Sequence, residues 1–176
     1  MADFFGSALS GSGTVSQSTS SFAHARQRMT LSRFASAIHQ TTANLVIGYF
    51  KSSDRILDVR MYSDGAGSGG AINLGVDTVE FSNGTAERTV LDLDLFASAA
   101  ATATAILYGS ATATRFTEAG TLDDYDRGKA FWELAAIGAG TDTVDPGLTY
   151  AIVADVSTLI TAATELAFVV DYVAGD

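Results

Sequence analysis

The alternation of apolar and polar side chains along Arg55–Val76 sets the frame for reading the whole chain. Leu57, Val59 and Met61 alternate with Asp58, Arg60 and Tyr62, and further on Ile72, Leu74 and Val76 alternate with Asn73 and Gly75. Successive side chains on a strand point to opposite faces, so each run predicts a strand with one apolar and one polar or small face. The glycine-rich Asp64–Gly70 between them predicts a hairpin loop. Half-buried antiparallel sheets show this pattern.

The theme repeats. Asn44–Phe50 places Leu45, Ile47 and Tyr49 on one face, and Thr89–Leu95 places Leu91, Leu93 and Leu95 opposite Val90, Asp92 and Asp94. Thr149–Val156 and Glu165–Val173 alternate through Tyr150, Ile152, Ala154 and Val156, and through Leu166, Phe168, Val170 and Tyr172. Ala103–Tyr108 reads as another strand. Residues 29–43 fit a helix through Leu31, Phe34, Ala35 and Ile38, but Thr41 and Thr42 favour a strand. Lys129–Ile137 fits a short helix or a strand. Asn83-Gly84 and Asp145-Pro146-Gly147 are turn signals. About seven or eight short strands at close spacing point to an all-β fold, an antiparallel β-sandwich of jelly-roll-like type. The expected core is Leu57, Val59, Met61, Ile72, Leu74, Leu91, Leu93, Ile152, Phe168 and Val170.

Residues 1–28 break the pattern. Gly6-Ser7, Ser10–Gly13 and Ser16–Ser21 make a Ser/Gly-rich tract that cannot bury enough apolar surface to offset its ordering entropy. They predict an extended N-terminal arm ahead of a single domain over 29–176. Phe4, Phe5, Leu9 and Phe22 are the residues able to dock it on a partner, and Arg26 and Arg28 would meet acidic groups there.

Charge sharpens this division. The first 60 residues carry six basic and three acidic side chains, and the rest carry four basic and 17 acidic ones, for a net charge of −10. An acidic body repels nucleic acid and anionic membrane, so neither is an expected partner. A basic N-terminal segment beside it suggests an acidic partner, a further copy of the chain included. There is no cysteine, hence no disulfide or thiolate site. The N-terminus lacks the basic and apolar regions of a secretory signal, and no apolar run reaches the ~20 residues that span a bilayer.

Candidate chemistry is sparse. The loop at Asp64–Gly70 is followed by a strand pattern rather than a helix and lacks Gly-Lys-Ser/Thr, so it does not read as a phosphate cradle. One carboxylate, Asp64, falls short of a calcium site. Glu118, Asp123, Asp124 and Asp126 form the best cation candidate, without EF-hand spacing, and read as a solvated acidic loop. Asp92 and Asp94 share a strand face, expected to point outward. His24 and His39 sit in no metal or nucleophile motif, and no Gly-x-Ser-x-Gly elbow occurs. No catalytic residue, metal or cofactor is expected, and the protein is not expected to be an enzyme. Trp132 reads as a core anchor, with a sugar-stacking platform as the alternative.

Several pieces resemble small β-rich head proteins of tailed bacteriophages. They are Ser53–Val59, Ile72–Val76, Phe131–Leu134, Asp145–Tyr150 and Val169–Val173, spread over residues 45–173. The resemblance implies a structural virion protein, made in the host cytoplasm and placed on the capsid surface. It would be a decoration (cement) protein or head fibre that binds the major capsid protein. A homotrimer is expected because head surfaces offer three-fold positions. A carbohydrate- or receptor-binding module of fibre, tail or neck is the alternative. The Ser/Gly arm departs from the family's common pattern.

Overall fold

The computed structural model describes residues 27–36, 44–64, 70–82, 84–102, 128–134, 144–160 and 164–175. Its elements are β1 (Gln27–Ser36), β2 (Asn44–Lys51), β3 (Arg55–Ser63), β4 (Ala71–Ser82), β5 (Thr85–Ala101), β6 (Thr149–Thr158) and β7 (Thr164–Val173), with a 3₁₀ turn at Phe131–Glu133. They form two antiparallel sheets, one ordered β1-β7-β3 and the other β2-β6-β4-β5. The first part of the ambiguous segment, residues 29–36, is therefore strand, and that strand begins at Gln27, so Arg28 belongs to β1; residues 37–43 lie outside the described residues.

One buried cluster joins the sheets. The three-stranded sheet supplies Val59, Met61, Leu166, Phe168 and Val170; the four-stranded sheet supplies Phe50, Ile72, Leu74, Val76, Ile152 and Ala154. Phe131 closes one end of it, stacked on Tyr150 at 5.1 Å between ring centroids. Seven of the ten expected core residues are fully buried: Val59, Met61, Ile72, Leu74, Ile152, Phe168 and Val170.

The other three are corrected by bulges. Between Ile56 and Asp58 the register of β3 against β7 shifts, so Ile56 takes the buried place and Leu57 is only half-buried. Leu91 and Leu93 are exposed, at 37% and 46%. Between Leu74↔Ala97 and Val76↔Asp92, β5 advances farther than β4, which resets the faces of everything on β5 before Leu95. Asp92 and Asp94 thus turn the less exposed side, and Asp92 Oδ1 accepts a hydrogen bond from the Asp94 N–H at 3.0 Å. Gly75 makes this crossing feasible: a Cβ there would stand 2.1 Å from the Asp92 carbonyl oxygen.

The expected hairpin across the glycine-rich loop is also overturned. β3 pairs with β7, whereas β4 pairs with β5 and β6. Alternation fixes which face of a strand is buried but not which strand lies beside it. Loop residues 65–69 lie outside the described residues. The Asn83-Gly84 expectation fares better: Ser82 pairs with Thr85, and Gly84 has φ +80° in the turn between them. At Asp145-Pro146-Gly147, Asp145 Oδ1 accepts from the Gly147 N–H at 2.9 Å, and Gly147 has φ +67°.

The turn between β2 and β3 ties three distant segments together. Buried Asp54 accepts from the Lys51 and Gly175 N–H groups, both at 2.8 Å, and its carbonyl accepts from the Phe131 N–H at 3.2 Å. The Ser52 carbonyl accepts from the Trp132 N–H at 3.2 Å, and the Ser52 hydroxyl donates to Asp145. A buried carboxylate with backbone donors on both oxygens is a structural clamp. Trp132 itself is half-buried; the core anchor of this turn is its neighbour Phe131, at 1% exposure.

Candidate interaction surface

The two sheets turn different outer faces to their surroundings. On the three-stranded sheet the register lays the outward residues of β1, β7 and β3 in rows: Met29, Asp171 and Asp58; Leu31, Val169 and Arg60; Arg33, Ala167 and Tyr62. β1 is amphipathic in the wrong sense for a core strand. Thr30 and Ser32 face inward and are half-buried, while Met29 and Leu31 face outward at 66% and 51% exposure. The Ser32 hydroxyl compensates by donating to the Ile47 carbonyl of β2 at 2.5 Å.

Between these rows lies a groove of about 410 Å³. Val169, at 7% exposure, and Ala167 form its floor, and Met29, Leu31 and Tyr62 rise around it. Arg60 holds one side. Its guanidinium hydrogen-bonds Asp171, and Nε lies 3.4 Å from Asp58 Oδ2, an ion-pair contact outside good hydrogen-bond geometry. Burial works against the Arg60 charge, but Asp171, Tyr62 and Asp58 outweigh it and raise its pKa above the ordinary value, so it is a fixed cation. Arg33 and Glu165 meet at 3.5 Å on the rim with both side chains more than half exposed, a pair worth little by itself. Asp64 closes one end of the groove: its carboxylate accepts from the Glu165 N–H at 3.0 Å, and its own N–H donates to the Glu165 carbonyl at 3.3 Å.

The outer face of the four-stranded sheet is covered by its own chain. Val79, Ala151 and Val153 form a second buried cluster, with Val46 and Ala86 packed on it. Beside it, Asp77 is buried and paired with Arg88 at 3.2 Å. Tyr49 and Phe81 meet edge to face at 5.9 Å, both half or more exposed.

Of the residues expected to bind a partner, Phe4, Phe5, Leu9, Phe22 and Arg26 lie outside the described residues. Arg28 is exposed on β1 opposite Tyr172. The acidic cluster Glu118–Asp126, the strand at Ala103–Tyr108, and His24 and His39 also lie outside them. Among the described residues no three His, Cys, Asp or Glu side chains gather as a metal site. The groove went unanticipated, yet its signals stand in the sequence. Ala167-Phe168-Val169-Val170 is apolar on both faces of β7, and Met29 and Leu31 alternate with Thr30 and Ser32. Strands buried on both faces read as continuous apolar runs rather than alternating ones.

No protein-family model matches the chain, and no curated protein matches it. Among solved structures, the Cyanophage Pam1 capsid asymmetric unit resembles it with a TM-score of 0.43 and 16% sequence identity, over 85% of this chain and 86% of that one. A likeness this loose does not bear on function.

Proposed function

We propose that this protein is a non-enzymatic structural component of a bacteriophage virion, a capsid decoration protein that binds the major capsid protein on the head surface as a homotrimer. The observation that carries the reading is the strand order. In an eight-stranded jelly roll the sheets run 1-8-3-6 and 2-7-4-5. Numbering β6 and β7 as seventh and eighth turns the observed orders into 1-8-3 and 2-7-4-5. Jelly rolls build viral capsid domains and lectins, and the sequence resemblance to phage head proteins chooses the first. In this reading the arm reaches a neighbouring subunit on the head. Phe4, Phe5 and Phe22 anchor it by apolar burial, and Arg26 and Arg28 steer it toward acidic groups.

Co-sedimentation with expanded capsids tests the reading. The full chain should bind. A chain lacking residues 2–26, which spares β1, should fold and fail to bind. A full chain that stays in the supernatant overturns the decoration role. A truncated chain that binds equally well removes the arm from it. The lectin reading has one observation of its own, the half-buried Trp132. A glycan screen separates the two: glycan binding lost in a folded Trp132→Ala variant would favour the lectin.

A further inference from the structure

We propose that, in the free protein, the groove on the outer face of the three-stranded sheet is the seat of the Phe4–Phe5 end of the same chain's N-terminal segment. The inference stands whether or not the virion reading holds.

The groove needs an apolar occupant. β1 turns Met29 and Leu31 outward and threonine and serine inward, a choice that costs stability unless something covers the outer face. A dry apolar cavity of about 150 Å³ accepts a benzene ring, so ~410 Å³ has room for two phenyl groups side by side. Phe4 and Phe5 are such a pair. Asp3 beside them brings a carboxylate toward Arg33, whose side chain is 67% exposed.

Tether length selects the same chain over a second copy. About 20 residues of Gly/Ser-rich chain separate Phe5 from Gln27, with an r.m.s. span of about 25 Å. Along β1, Leu31 and Arg33 lie about 13–20 Å from Gln27 at about 3.3 Å per residue. A tether whose r.m.s. length is close to the span it must cover gives nearly the highest effective concentration, at the millimolar level. A second copy at micromolar concentration competes poorly with that. Phe22, only about five residues before Gln27, has at most about 17 Å of chain and spends part of that reversing direction, so it falls short of the Arg33 end of the groove at about 20 Å.

The chain has no cysteine, so Ser7→Cys provides a unique attachment point for a nitroxide spin label. In isotope-labelled protein carrying this label, NMR signals of Leu31 and Val169 should be broadened at least several-fold relative to Val153 on the opposite outer face. Adding Phe4→Ser and Phe5→Ser should abolish the broadening; both changes lie outside the described strands. A mixture of isotope-labelled protein without the nitroxide and nitroxide-bearing protein without the isotope, unfolded and refolded together so that any oligomer holds both, should show none. Broadening in that mixture would overturn the proposal in favour of a second copy. Its absence from the single-chain sample, or its persistence after both phenylalanines are replaced, would overturn it outright.

Discussion

The two sheets share one core but treat their outer faces in opposite ways. On the four-stranded sheet, the far part of the β4–β5 hairpin brings Ala86 onto Val79, Ala151 and Val153 and closes a second small cluster. On the three-stranded sheet, among the described residues, Met29 and Leu31 stand open over Val169 and Ala167. Both outer faces carry apolar residues among charged ones, but Val79, Ala151 and Val153 are buried, whereas Met29 and Leu31 are exposed. An apolar patch left open on a sheet that is otherwise well packed marks a place for a further occupant.

The largest effect should come from the layer both sheets share. Phe168→Ala is expected to cost about 3–5 kcal/mol in chemical denaturation, since Phe168 is fully buried at the centre of the joint cluster. A loss under about 1 kcal/mol, far below that range, would mean the sheets do not pack through it. Gly75→Ala is next, at about 3 kcal/mol, because the new Cβ would meet backbone atoms of Asp92 and Leu93 that cannot give way cheaply. If the comparison is right, it should also loosen the cover: amide exchange at Val153 should speed up more than at Val169.

The comparison itself is sharpened by a matched pair. Val153→Ala on the covered face should cost about 1–2 kcal/mol, and Leu31→Ala on the open face under about 0.5 kcal/mol in a chain lacking residues 2–26. Equal costs would erase the difference between the faces.

The smallest effect is a pH dependence on the covered face. Burial lifts the Asp77 carboxyl above its ordinary 3.8, against the pull of Arg88 and with Asp155 adding to the rise. The folded protein then holds this proton more tightly than the unfolded chain does. The resulting contribution to stability is fully present below about pH 3.8 and is lost as pH rises through the folded value. Asp77→Asn lacks this contribution, so melting curves taken from pH 3 to 7 should show the variant gaining on the parent as pH rises. A variant that falls behind as pH rises would reverse the sign.

What the sequence made legible follows from what alternation encodes. It gave the faces of β3, β6 and β7 and the inward residues Val59, Ile152 and Phe168. It could not give partners, so β3 and β4 read as a hairpin although they lie in different sheets. Nor could it give bulges, which move the register by single residues: Ile56 in place of Leu57, and exposed Leu91 and Leu93 on β5. The clamp at Asp54 was hidden because, beside the local Lys51 N–H, its other donor is the Gly175 N–H, 121 residues along the chain. The groove is hard to see in the sequence because the pattern over β1 fits helix and strand alike, and because the alternation of Leu166, Phe168 and Val170 on β7 masks the second apolar face at Ala167 and Val169.

The virion role is the central claim, and copy number in purified particles tests it most directly. On the proposed reading, stained gels of purified virus particles that contain the chain, scaled against the major capsid protein, should show on the order of hundreds of copies, as a surface that repeats three-fold positions requires. A chain absent from the particle, or present at a dozen copies or fewer, would contradict a decoration protein.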